Sequence, residues 1–281
     1  MHRWRAGRAH HHPLLPAAAV LTHLLLLFLA AAAAGADEQG TPAILATVCG
    51  ATQTPDPEGF DVSFVTTLEM IYQNVTRSGF GAAGSGAGNN TVFGLGQCLA
   101  YLSPTDCQLC YAQSRVKLPH CLPADAGRIY LDGCFLRYGA DNFTAVATDA
   151  SDTAVCGSNA TGAPPAPGFA AAAAALVQNV TAAAPGARDY YYASSAADSG
   201  RAPRAYAAAQ CWRSLNASAC AACVESARDR VLRQCLPGAA EGYGLNAGCV
   251  VRYSTQPFYL PAEAASGGGG SSCEYISLYY Y

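Results

Sequence analysis

The apolar positions of this chain alternate between a helical and an extended period. Between residues 60 and 75, Phe64, Leu68, Ile71 and Val75 recur at i, i+4, i+7 and i+11, which places them on one helix face. Residues 79–88 are Gly-rich and read as a loop without regular order. Residues 91–99 read as a strand that carries Cys98 near its end. Ser103-Pro104-Thr105-Asp106 has the form of a helix start: Ser103 caps, Pro104 suits the first helical position and Asp106 favours the positive end. Cys107 and Cys110 then share one face of that helix. Residues 127–138 alternate, with Ile129, Leu131 and Phe135 on one face, and read as one central antiparallel strand with a bulge at Asp132-Gly133.

A second series follows. Residues 169–180 form an Ala-rich helix whose larger apolar residues include Phe169, Leu176 and Val180. Residues 189–193 hold Tyr190, Tyr191 and Tyr192 and read as a strand; at least one of these tyrosines faces solvent if the strand is half-buried. Asn216 caps a further helix, in which Glu225 and Asp229 lie at i, i+4 among Arg228, Arg230 and Arg233. Paired carboxylates can do acid/base chemistry. The surrounding arginines favour a solvated, salt-bridged helix face.

The cysteines show that the two series are copies. Cys98, Cys107, Cys110, Cys121 and Cys134 read C-x8-C-x2-C-x10-C-x12-C, and Cys211, Cys220, Cys223, Cys235 and Cys249 read C-x8-C-x2-C-x11-C-x13-C. Each set follows one distant Cys-Gly, at Cys49 and Cys156, and each closes in Gly-Cys-x-x-Arg-Tyr. Gln97-Cys98 and Gln210-Cys211 open them. Agreement of four spacings to within one residue marks an internal duplication. It divides the chain into units over residues 42–147 and 150–260.

The ends differ from both units. Residues 1–36 carry Arg3, Arg5 and Arg8, a Leu/Ala run and the small-residue site Ala34-Gly35-Ala36, the form of a secretory signal peptide. Residues 261–281 are a flexible Gly/Ser-rich tail containing Cys273. Without the leader, 13 basic and 19 acidic residues remain, a net charge of −6 with Lys117 the single lysine. That charge argues against a nucleic-acid partner. The expected mature chain has no membrane span.

Five of the six histidines leave with the leader; His120, beside Cys121, is the one that stays. Nucleophilic triads and the common His-containing zinc sites both need a positioned histidine. Each unit has a single C-x2-C, so a four-cysteine zinc site lacks its second half. No catalytic residue, metal or cofactor is indicated. In a secreted chain the 13 cysteines read as a disulfide framework, with one left unpaired. Cys273 is that cysteine, a free thiol or a route to a covalent dimer. Asn74, Asn89, Asn142, Asn159, Asn179 and Asn216 start N-glycosylation sequons, in keeping with a lumenal surface.

Six cysteines per unit allow fifteen pairings, and spacing does not choose among them. Here a resemblance adds to the residues. C-x8-C-x2-C within a six-cysteine unit that ends in Cys-Phe-Leu-Arg-Tyr resembles the ginkbilobin-2-type, salt-stress-response/antifungal domain of plants. Two in tandem behind a signal peptide are similar to the ectodomains of cysteine-rich receptor-like kinases, and also to cysteine-rich repeat secretory and plasmodesmata-located proteins. The resemblance implies an α+β fold of two tandem disulfide-rich units, each an antiparallel sheet with two helices packed on one face. It implies the pairs Cys49–Cys121, Cys98–Cys107 and Cys110–Cys134, then Cys156–Cys235, Cys211–Cys220 and Cys223–Cys249.

It also implies where a sugar would bind. Mannose-binding relatives use an Asn after the first cysteine, an Arg six residues before the last and a Glu five residues after it. This chain has Gly50, Arg128 and Gly139 in the first unit and Gly157, Tyr243 and Ser254 in the second, so Arg128 alone matches. Without the amide and the carboxylate, the bonds that fix sugar hydroxyls are missing.

The expected function is a non-enzymatic extracellular recognition module in plant stress or defence signalling, secreted to the apoplast. Its partner would be an apoplastic protein or a carbohydrate. The alternatives are an antifungal lectin, a plasmodesmata-located-type protein lacking its anchor, or, if the gene model is truncated, a receptor at the plasma membrane.

Overall fold

The computed structural model describes residues 42–157, 167–196, 205–236 and 238–259. The expected leader, the Asn159 sequon, Cys273 and the tail lie outside these residues. The first half runs β1 (Ile44–Cys49), α1 (Pro57–Ser78), β2 (Phe80–Ser85), β3 (Val92–Cys98), α2 (Pro104–Lys117), β4 (Ala126–Leu131) and β5 (Cys134–Gly139). The second runs β6 (Thr153–Cys156), α3 (Phe169–Ala183), β7 (Tyr191–Ala196), β8 (Ala205–Cys211), α4 (Ala217–Gln234), β9 (Glu241–Asn246) and β10 (Cys249–Ser254). The sheets are antiparallel, ordered β1-β4-β5-β3-β2 and β6-β9-β10-β8-β7. The fold is α+β, and the duplication extends to its topology.

Local chemistry sets the helix ends. Ser103 Oγ accepts from the Asp106 N–H at 3.1 Å, and Asn216 Oδ1 from that of Ala219 at 2.8 Å, each satisfying a first-turn donor. Helix α1 stops at Gly79, whose left-handed φ of 72° lets its N–H return to the Val75 carbonyl. The apolar stripe of α1 is buried as its period requires, with Phe60, Phe64, Leu68, Ile71 and Val75 all in the core.

Three expectations need correction. The Gly-rich stretch after α1 contains the edge strand β2, paired with β3 from Phe80↔Gln97 to Ser85↔Val92. Low side-chain volume hid a strand whose backbone pairs well. Residues 127–138 are two strands, β4 and β5, turned at Asp132-Gly133. Asp-Gly between alternating runs is a hairpin signal. The reversal puts Phe135 on the opposite sheet face from Ile129 and Leu131. The tyrosine strand begins at Tyr191, because Asp189 and Tyr190 turn the chain with φ of 54° and 52°. Tyr192 is its exposed tyrosine, at 39%.

Among the described residues, six disulfides tie the helices, or the turns that follow them, to the sheets. Cys49–Cys121, Cys98–Cys107 and Cys110–Cys134 lie in the first half, and Cys156–Cys235, Cys211–Cys220 and Cys223–Cys249 in the second. These are the pairs that the resemblance implies. The closing tyrosine of each cysteine motif has one job in both halves. Tyr138 and Tyr253 are fully buried, donating to the Ala124 and Ala239 carbonyls at 2.9 and 3.2 Å. Gly127 and Gly242 make room: a Cβ on either would stand 2.6 Å from the tyrosine ring.

On the helix-free faces one apolar cluster joins the two sheets. Leu95, Tyr130 and Phe135 share it with Trp212, Leu245 and Val250, and Phe135 stacks on Trp212 with centroids 4.5 Å apart. The two motif glutamines span this seam reciprocally. Gln97 donates to the Cys211 carbonyl at 3.1 Å and accepts from the Arg213 N–H at 2.8 Å. Gln210 donates to the Cys98 carbonyl at 3.3 Å and accepts from the Ala100 N–H at 2.8 Å. Both glutamine side chains are buried, and each amide satisfies one backbone donor and one backbone acceptor across the seam.

Candidate functional site: the groove beside Arg128 and its counterpart

Arg128 projects from β4 and is nearly sealed, its side chain 4% exposed. A groove of about 260 Å³ runs along it, between β1, β4 and the segment after β5, with Gly50, Arg137 and Asp149 on its walls. Arg128 grips both oxygens of Asp149, with Nη2–Oδ1 at 2.9 Å, and Asp152 stands 3.6 Å away. Asp152 holds the linker against the second half, accepting from the Asp149 and Ala247 N–H groups at 3.0 and 2.8 Å. Arg137 lies over the Phe143 ring at 4.2 Å and reaches Asp149 at 3.9 Å.

The charges are mutually fixed. Burial opposes the Arg128 charge, and Tyr130, Asp149 and Asp152 outweigh it, so its pKa lies above the ordinary arginine value. Burial raises Asp149, but the Arg128 contact prevails and holds it below the usual carboxylate range. Burial lifts Asp152 above that range. Burial and the neighbouring Arg128 lower Arg137. Arg128 therefore has a structural partner, with its fork spent on Asp149.

Other residues stand at the equivalent position in the second half. Tyr243 replaces Arg128, and Glu241 Oε1 accepts from Tyr243 at 3.0 Å and from Arg252 at 2.6 and 3.0 Å. A Cβ on Gly157 would stand 3.1 Å from the Glu241 Cβ and 3.4 Å from its Oε2, so Glu241 packs against Gly157. Arg252 is capped by the Phe258 ring at 4.0 Å and the Tyr243 ring at 4.8 Å.

The remaining candidates are spread over the surface. Asn74, Asn89, Asn142, Asn179 and Asn216 are all exposed, and Asn216 also caps α4 through Oδ1. Arg228 bridges Glu225 at 3.3 Å and Asp229 at 2.8 Å on the open face of α4. Among the described residues there is no grouping of three or more His, Cys, Asp or Glu able to hold a metal ion. Nor, among them, is any helix long and apolar enough to cross a membrane.

Sequence reasoning missed Asp149, Asp152 and the two glutamines. The glutamines had a visible signal, because they repeat in register. The aspartates had none, since nothing in the spacing links residue 149 to residue 128.

Comparison with known proteins fits this geometry. The model of the family described as "Salt stress response/antifungal" matches residues 48–141 and again 155–256. The chain belongs to that family. It is 38% identical over 212 residues to "Cysteine-rich receptor-like protein kinase 2" of Arabidopsis thaliana, covering 73% of this chain and 31% of that protein. It is 30% identical over 219 residues to "Plasmodesmata-located protein 6" of the same plant, covering 74% and 67%. Against "Antimicrobial ginkbilobin-2-like protein" of Castanea crenata it is 26% identical over 205 residues, covering 68% and 78%. It spans about a third of the length of the receptor-like kinases that it matches. The tandem DUF26 ectodomain of the Arabidopsis thaliana cysteine-rich receptor-like protein PDLP8 shares the fold, with TM-score 0.61 and 23% identity over 75% of this chain and 97% of that one.

Proposed function

We propose that this family member is a non-enzymatic extracellular recognition module in plant stress or defence signalling, of the kind that receptor-like kinases carry outside the membrane. One observation carries the reading: the arginines beside the two positions where a sugar contact would be expected are paired within the protein, Arg128 with Asp149 and Arg252 with Glu241. What remains is surface, presented by two fused and heavily bridged halves. The identity to a receptor-like kinase over most of this chain and a third of that one supports the same assignment, as does a disulfide-rich fold suited to an oxidising exterior.

The test is secreted expression in leaf tissue, treatment with a membrane-impermeant crosslinker, and recovery of the chain from the apoplast. A defined cell-surface protein crosslinked to it is the expected result. Retention on immobilised mannan without any such protein would overturn the reading in favour of an antifungal lectin. Intact mass of the same material, with and without reductant, reads whether Cys273 pairs two copies.

A further inference from the structure

Helix α1 turns a mixed face outward. Every fourth residue along it forms one exposed ridge, Asn74, Met70, Thr66 and Val62, and Gln73, Glu69 and Val65 form the ridge beside it. Met70, Val65 and Val62 are 46%, 59% and 70% exposed, so three large apolar side chains share one open face. The polar residues among them are tied down locally. Glu69 meets Arg115 of α2 at 3.1 Å, and Thr66 donates to the Val62 carbonyl at 2.8 Å.

The ridge starts at a glycosylation sequon, Asn74-Val75-Thr76. Asn74 is exposed, and among the described residues its side-chain amide makes no hydrogen bond. Side chains on a helix lean toward its N-terminus, so a residue covers the turn before its own. For Asn74 that turn carries Met70, about 6 Å along the axis, with Thr66 about 12 Å away. A group attached to the Asn74 amide is therefore led along the ridge and over Met70.

The duplication repeats the sequon but not the surface under it. Gln73-Asn74-Val75-Thr76 recurs on α3 as Gln178-Asn179-Val180-Thr181. The two helix bodies match at a constant offset on their buried sides, Phe64 with Phe169, Ile71 with Leu176 and Val75 with Val180. Along the α3 ridge, however, Asn179 is preceded by Ala175 and Ala171, with Ala174 and Ala170 alongside. One helix sets methionine, valine and polar groups before its sequon; the other sets methyl groups alone.

We propose that Asn74 carries an N-linked glycan whose inner sugars lie along the Met70 ridge and cover it. The transfer joins C1 of the first N-acetylglucosamine to Asn74 Nδ2. The bond from C1 to a lipid-linked diphosphate breaks, the diphosphate leaves with the electron pair of that bond, and Nδ2 gives up one proton. That lipid-linked oligosaccharide is the co-reactant, met in the secretory lumen. The face suits this occupant. A pyranose ring has an apolar C–H side and a rim of hydroxyls. Met70, unbranched and adaptable, fits under the first, and Gln73, Glu69 and Thr66 meet the second. The covalent tether holds the sugars at a high local concentration that no free ligand matches. The proposal rests on the secreted reading above. It also takes the outer face of α1 out of the surface left for a protein partner.

Met70 reports on its own cover, because it is the only methionine after Met1. Mild peroxide converts an accessible thioether to the sulfoxide, and the mass of one peptide reads the rate. Peptide mapping of the chain secreted from leaf tissue should find Asn74 glycosylated. Asn74→Gln and Thr76→Ala remove the sequon by different routes, and in both Met70 should oxidise severalfold faster than in the wild type. Asn179→Gln should leave the rate unchanged. All rates are taken well below each melting midpoint, so that they read cover and not unfolding. A bare Asn74 beside occupied sequons would overturn the proposal. So would a Met70 that oxidises at one rate with and without the sequon; if that rate is slow, a second copy or a bound protein covers the face instead. These failures separate from those of the recognition reading. No glycan at any sequon sinks both. A captured cell-surface partner together with a bare Asn74 sinks this proposal alone, and a glycan-shielded Met70 with no captured partner sinks the recognition reading alone.

Discussion

The two halves solve one packing problem with opposite choices of side chain. In the first, β3 offers glycine beneath large residues: a Cβ on Gly96 would stand 2.8 Å from the Tyr111 ring, and one on Gly94 would stand 2.6 Å from Ile71. In the second, the same register positions are Ala207 and Ala209, and the helical residues above them shrink to Val180 and Val224. Volume moved from helix to strand while the sum stayed near constant, as close-packed interiors demand. The bridges, the closing tyrosines and the seam glutamines did not move. What the frame needs is therefore separable from what each half was free to change.

Disulfide removal should show the frame as the common part, with the largest effect. Cys49–Cys121 and Cys156–Cys235 close loops of 72 and 79 residues, each worth about 4 kcal/mol in the chain-entropy model. Replacing either pair by serine should lower the urea midpoint by similar amounts. A loss confined to one half would break the equivalence. The same two bridges should also open first under mild reductant. Cys49 and Cys156 are exposed, whereas both cysteines of every other bridge are buried. Alkylation mapped by mass reads the order.

The volume exchange predicts a coupled pair. Tyr111→Val empties space and removes the bond from the tyrosine hydroxyl to the Leu68 carbonyl, at a cost of about 3 kcal/mol. Gly96→Ala overpacks against Tyr111 by about 1–3 kcal/mol. The double variant copies the second half and should be less destabilised than the sum, by about 1 kcal/mol or more. Additive costs would show that the halves are not exchangeable at this layer.

The comparison also explains what could be read from sequence. The duplication, the α1 face and both helix caps were legible because each is a local rule with named residues. Phe60–Val75 repeats at a helical period, and Ser103 and Asn216 stand where a first-turn donor needs an acceptor. β2 was not legible, because Gly and Ala carry no alternation. The Asp132-Gly133 turn was misread because two alternating strands separated by two residues mimic one longer strand. The site was harder still. Arg128 was found by resemblance, but its partner Asp149 lies on a connecting segment, where only the folded chain brings the charges together.

That ion pair gives the next effect, and a pH signature. Asp149→Asn takes the bidentate carboxylate from buried Arg128, leaving Asp152 at 3.6 Å, and should cost about 2–3 kcal/mol near neutral pH. The Asp149 pKa is lowered in the folded state. Its contribution is present above the ordinary aspartate value of about 3.9 and is lost as pH falls through the lowered one. Wild-type and variant stabilities should therefore differ at neutral pH and converge below about pH 4. A gap that persists in acid would show that packing, not charge, is what Asp149 contributes.

The smallest effect lies on the seam, at one buried hydroxyl. Tyr130 donates to the Asn246 carbonyl at 2.9 Å, and its register counterpart, Leu245, has no such group. Tyr130→Phe keeps the ring beside Phe135, at a centroid distance of 4.8 Å, and removes only the bond. The loss should be about 1 kcal/mol, the net worth of one buried hydrogen bond, or about 2–4 °C in the melting midpoint of a domain this size. If the two sheets form one cooperative unit, that shift appears in a single transition. If the variant instead melts in two steps, the seam is weaker than its glutamine bridges and stacked Phe135–Trp212 pair imply, and a partner gripping both halves would then order them as well as bind them.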